Sequence, residues 1–160
     1  LERLFQRLAH HGIRLGLASA CLAGTVSAYD LEVVTDHGSV HYSQSDILAL
    51  DPSSLDTETP WTDGSLHFEG ASLAAVLADA GVDADQLLAK ALNDYTVVIP
   101  VQTAIDEGAF VAVRIDGDWM RVRDKGPFWI VFPWSDRPDL LDRDVRSWSI
   151  WQLQHLGPVE

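Results

Sequence analysis

The sequence predicts an α+β domain, a β-rich mixed sheet or barrel carrying short helices. Three observations carry that expectation. Apolar runs are short and stop at Gly, Pro, Asn or Asp, the pattern of strands joined by tight turns. Few stretches place apolar residues three and four apart, so helices are few and brief. The chain is 47% hydrophobic with six Trp over 160 residues, enough to bury one core without cross-links. No internal repeat or inter-domain linker interrupts it.

Taken in order, residues 1–28 read as an export signal. Arg3, Arg7 and Arg14 precede an uncharged run, and Val26-Ser27-Ala28 offers small residues for cleavage before Tyr29. Two other readings are a helix packed on the domain, supported by the spacing of Leu1, Leu4, Phe5 and Leu8, and a lipoprotein signal ending at Ala20-Cys21. The expected domain is therefore 29–160, periplasmic or secreted. Residues 29–35 and 39–42 form a hairpin about Asp36-His37-Gly38. Ser43 with Asp46 resembles a capping box, so a helical turn follows and ends at Asp51-Pro52. Residues 53–59 suit an edge strand, and Pro60 to Gly64 a turn carrying Trp61. A strand over 66–68 ends at Glu69-Gly70. Ser72 then caps a helix with Leu73, Val76, Leu77 and Ala80 on one face, closed by Gly81.

Residues 83–88 suit a short helix and 87–92 a strand, and the two overlap. Residues 95–99 are a strand, 101–107 a helical turn, and 109–115 a strand that turns at Asp116-Gly117 and returns over 119–122. Residues 128–132 have the composition of a strand buried on both faces. A charged loop with a turn at Leu140-Leu141 follows, and 147–155 reads as the last strand.

The formal charge is −13, which argues against nucleic acid and anionic membrane surfaces as main partners. Removing 1–28 leaves eight basic residues of the 11 and no cysteine, because Cys21 is the only one. No stable membrane span is expected after cleavage. Against this acidic background Arg121, Arg123 and Lys125 alternate. On an extended chain they would share one face and suit a phosphate or carboxylate, unless neighbouring acids such as Asp94, Asp116, Asp118 or Asp124 neutralise them. Asn93-Asp94-Tyr95 offers a donor, an acceptor and a ring, or an Asx turn with Tyr95 in the core. Trp61 and Trp134 flank turns and are the aromatic candidates for stacking on a ligand. No zinc spacing, phosphate loop, nucleophile elbow or paired-carboxylate motif is present.

From Gly64 onward the order of motifs resembles the molybdopterin-binding domain of the sulfite oxidase family. The matching stretches are Phe68-Glu69-Gly70-Ala71-Ser72-Leu73, Asn93-Asp94-Tyr95, Met120-Arg121-Val122-Arg123-Asp124-Lys125-Gly126-Pro127 and Trp151-Gln152-Leu153. It is most similar to a small exported branch of that family. The resemblance implies the family's fold and a molybdopterin site. Catalytic members hold molybdenum through a cysteine thiolate, which residues 29–160 lack, and carry an arginine where Trp129 stands here. Molybdenum ligation is therefore not expected. The expectation is a non-catalytic binding module for a small anionic or pterin-like ligand or a partner protein, with Arg121, Arg123, Lys125, Asn93, Asp94 and Trp61 at the site. Two alternatives are a molybdopterin-dependent oxidoreductase without a cysteine ligand and an interaction subunit of a periplasmic sensor or redox system.

Overall fold

The computed structural model describes residues 29–159, so the signal expected over 1–28 and Cys21 lie outside the described residues. The elements run β1 (Leu31–Thr35), β2 (Gly38–Tyr42), α1 (Gln44–Leu50), β3 (Ser53–Thr57), β4 (Leu66–Ser72), α2 (Leu73–Ala80), β5 (Gln86–Ala91), β6 (Thr96–Pro100), α3 (Val101–Asp106), β7 (Phe110–Ile115), β8 (Asp118–Trp119), β9 (Trp129–Val131), α4 (Val145–Trp148) and β10 (Leu153–Pro158), with 3₁₀ turns at Val122–Asp124 and Pro138–Asp142. The strands make two open sheets, β2-β1-β10-β5-β6 and β3-β4-β7, with β8 and β9 sharing the far edge of β7. The class is the α+β, β-rich mixed architecture expected, without barrel closure.

Local chemistry accounts for the elements that periodicity and capping had marked. The Ser43 hydroxyl accepts from the Asp46 amide at 3.2 Å while the Ser43 amide donates to the Asp46 carboxylate at 2.8 Å, so the capping box starts α1. Ser72 caps α2 through the Ala75 amide, and Gly81 closes it in the left-handed conformation at φ 74°. β1 pairs with β2 from Leu31 opposite Tyr42, and in parallel with β10 from Glu32 opposite His155. The first and last strands thus lie side by side, and β10 carries the C-terminal segment to β5. Phe68, Phe128, Trp129 and Phe132 are fully buried at the centre of the one continuous core.

Several expectations are corrected. The strand begun at Leu66 does not end at Glu69-Gly70; it passes through a bulge there and reaches Ser72, because β7 pairs with it on both sides of the bulge. Residues 86–91 are the strand β5, since they pair with β6 and β10 together. The return after Asp116-Gly117 lasts only through Trp119, beyond which a 3₁₀ turn takes the chain off the sheet. Residues 147–152 are not a strand; α4 and a bend precede β10, and Trp151, which broke the alternation, lies in the bend. Trp134 is 97% covered by neighbours, being only 3% exposed, so it is a core residue rather than a stacking surface.

One exposed pair gives a titration test. His67 donates or accepts at 2.7 Å from Asp56, across the β3–β4 ladder, and that hydrogen bond raises the imidazole above its ordinary value. A raised folded-state value means the pair's contribution is complete below the ordinary imidazole range and fades as pH rises through the folded value. NMR titration is expected to show His67 above the ordinary imidazole value, and Asp56→Asn to lower it. An unchanged midpoint in Asp56→Asn would refute the assignment.

Candidate functional site

Three segments distant in sequence meet at one end of the molecule. They are the turn after β3 that carries Trp61, the β5–β6 turn with Asn93 and Tyr95, and the α4–β10 stretch from Arg146 to Gln152. Hydrogen bonds lace the last two together and tie them to the Val122–Lys125 turn. The Leu92 amide donates to the Gln152 carbonyl at 2.9 Å, and the Gln152 amide donates to the Lys125 carbonyl at 3.0 Å. The Gln152 side chain donates to the Val122 carbonyl at 2.8 Å, and the Tyr95 hydroxyl to the Ser147 carbonyl at 3.2 Å. Asp94, Lys125 and Gln152 sit at positive φ, 64°, 70° and 52°. Left-handed conformations at non-glycine residues persist only where surroundings hold them, and they gather at functional sites.

Trp61, Trp129 and Trp151 form a triangle of indoles. The centroids lie 6.2 Å apart for Trp61–Trp129, 5.4 Å for Trp61–Trp151 and 6.3 Å for Trp129–Trp151, with edge-on or tilted planes. These are the separations aromatic pairs favour. The Trp129 indole donates to the buried Ser149 hydroxyl at 3.1 Å, which in turn donates to the Ile130 carbonyl at 2.7 Å, so both polar groups are satisfied. A cavity of about 280 Å³ opens beside the triangle. Trp61 and Trp151 are its half-buried walls, and Ala91, Ser149 and Ile150 its buried floor. Asn93, Tyr95, Arg146 and Ser147 are exposed at the mouth.

The mouth presents donors. The Asn93 carbonyl oxygen accepts from the Tyr95 amide at 3.2 Å, as an Asx turn requires, which leaves the Asn93 NH₂ pointing its donors elsewhere. Tyr95 is 46% exposed and is not the core residue the alternative placed there. Arg146 adds a guanidinium. No carboxylate lines the cavity. Among the described residues Lys90, Arg114, Arg121, Arg123, Arg137 and Arg143 each have a carboxylate oxygen within 3.7 Å. Arg146 and Lys125 have none. Lys125 instead holds its ammonium 4.4 Å from the centre of the Trp151 ring and 5.7 Å from that of Trp129, a cation–π arrangement against a wall of the cavity.

The structure therefore brings Trp61 and Asn93 of the predicted set into the cavity lining, with Lys125 beside it on the Trp151 ring. It does not bring the others. Arg121, Arg123 and Lys125 do not share the face of an extended strand: the 3₁₀ turn at Val122–Asp124 rotates them apart. The Arg121 guanidinium donates to Asp124 at 2.6 Å, and Arg123 lies 3.7 Å from the same carboxylate. Asp94 is 2.8 Å from Lys90, whose hydrogen bond holds its carboxyl below the usual carboxylate range. Sequence reasoning did not find Arg146, Ser147 or Trp151 as site residues. Arg146 stands in a stretch dense with charge, and nothing local distinguishes it from the paired arginines around it.

A family model described as the oxidoreductase molybdopterin binding domain matches residues 33–135. The match ends before α4, so the wall bearing Arg146 and Trp151 lies beyond it. No curated protein matches the chain. Among solved structures, the sulfane dehydrogenase SoxCD from Paracoccus pantotrophus aligns with a TM-score of 0.57 and 16% identity over 81% of this chain. That likeness is one of fold. The chain spans 37% of the length of that chain, little more than a third.

Proposed function

The chain belongs to the oxidoreductase molybdopterin-binding domain family, and from that premise we propose that it is a periplasmic or secreted binding module that holds a small anionic ligand in the indole-walled cavity without carrying out redox chemistry. One observation carries the reading. In a chain of net charge −13, the two cations without a carboxylate partner among the described residues are Arg146, which lines a cavity that no acid lines, and Lys125, which stacks on the Trp151 ring that walls it. Isolated cations in such a chain would find acids readily. Keeping two beside a cavity free of carboxylates leaves their charge for a ligand, and Arg146 can meet an oxyanion with two parallel N–H bonds.

The residues present do not fit the metal of the family's cofactor. Residues 29–160 contain no thiol, and among the described residues no group of three His, Cys, Asp or Glu converges. Where catalytic members carry an arginine, the buried Trp129 fills the space with an indole already committed to Ser149. A bicyclic pterin lacking the metal remains within the class of ligands the cavity walls suit. No reaction step is assigned.

The test is calorimetric titration with inorganic phosphate, acetate and pterin-6-carboxylate, alongside metal analysis of exported protein from a molybdenum-replete host. At least one of these anions is expected to bind, with an affinity that falls about tenfold or more in Arg146→Glu, since a charge-assisted hydrogen bond is worth about 1.5–3 kcal/mol. Arg121→Glu, outside the cavity lining and paired with Asp124, is expected to leave binding within about twofold, as for a surface ion pair. Equal loss in both variants would mean that bulk charge rather than the cavity attracts the anion. Stoichiometric molybdenum would overturn the non-redox reading.

A further inference from the structure

The cavity is divided along its depth. Its floor, Ala91 and Ile150, is apolar and buried, with Ser149 already using its hydroxyl in the bonds to Trp129 and Ile130. Its walls are the Trp61 and Trp151 rings, and the free donors of Asn93 and Arg146 stand only at the exposed mouth. A bare oxyanion would meet Arg146 and leave the floor and both indoles in contact with water. An uncharged ring would cover the indoles and leave the guanidinium unused. A ligand that satisfies both ends has a flat apolar body and one acceptor-only group at its edge.

We infer that the ligand class is a planar aromatic carboxylate of one or two fused rings, bound ring-inward against the contacting Trp61 and Trp151 indoles with its carboxylate outward at Arg146 and Asn93. This rests on the anion-binding reading above and narrows it. Size agrees: about 280 Å³ is just below the usual range of small-molecule pockets, enough for fused rings and too little for a drug-sized molecule. The chemistry agrees as well. The Asn93 NH₂ and the guanidinium are donors only, so they select a carboxylate over a carboxamide, whose NH₂ would oppose them. Edge-on indoles favour an aromatic plane over an aliphatic chain.

The experiment compares three ligands on the unmodified protein by calorimetry: 2-naphthoate, the uncharged 2-naphthamide, and acetate. Naphthoate is expected to bind at least tenfold more tightly than either of the others. Trp61→Ala is expected to weaken naphthoate at least fivefold and leave acetate unchanged. Acetate binding as tightly as naphthoate would overturn the ring-inward inference while leaving an anion site in place. Naphthamide binding as tightly as naphthoate would remove the role of charge and so the anion reading too. No heat from any ligand at millimolar concentration would overturn both. Should Trp61→Ala fail to fold, the three-ligand comparison decides alone.

Discussion

Replacing Trp129 with arginine is expected to unfold the domain rather than restore a family-like site. Trp129 is fully buried, within 5.6 Å of the Phe68 ring centre and in contact with Trp61 and Trp151. Removing a buried tryptophan side chain from a core costs about 3–5 kcal/mol. A guanidinium in its place would lie among aromatic rings, with the Lys125 ammonium already 5.7 Å from the Trp129 ring centre. An unpaired charge placed there adds several kcal/mol more. A domain of this size has about 5–15 kcal/mol to lose. Urea unfolding followed by near-ultraviolet circular dichroism is the measurement. Trp129→Phe, which keeps the ring but drops the bond to Ser149, is expected to stay folded with a lowered midpoint. A Trp129→Arg protein with an undiminished midpoint would show that the indole cluster does not hold the fold.

Gly70→Ala is the second large effect. A β-carbon at Gly70 would stand 2.0 Å from the Val111 carbonyl oxygen and 3.1 Å from the Ala112 α-carbon. Both are backbone atoms of the paired strand β7, so no side chain can swing aside. The strands must part at the bulge, in the middle of the second sheet, and the expected loss is at least about 3 kcal/mol. Gly117→Ala is the comparison, since at φ 85° it meets nothing within 4 Å. It carries only the left-handed backbone cost of about 1 kcal/mol. Parallel denaturant melts of the two variants check the difference, and equal losses would contradict the close approach at Gly70.

The parts of the fold that were legible share a property: their cause is within a few residues. Ser43 and Asp46 cap each other, Ser72 and Gly81 bound a helix whose apolar residues repeat with its turn, and Asp116-Gly117 reverses the chain between β7 and β8. Where two adjacent segments compete on equal local terms, as at 83–92, pairing with β6 and β10 decides for a strand. The alternating cations misled for a related reason. Alternation marks a face only if the backbone is extended, and the Arg121-to-Gly126 turn, closed by the Gly126 amide on the Arg121 carbonyl at 2.9 Å, is not.

The residues themselves determined the class of the domain, its family, its caps and turns, and the absence of a cysteine from residues 29–160. All of these are written in local spacing or in composition. Only the tertiary structure decided where the candidate cavity is, because its lining comes from positions as far apart as Trp61, Asn93 and Arg146, and which cations are free depends on which acids folding brings near them. A charge's partner is set by distance through space, and a sequence records distance only along the chain.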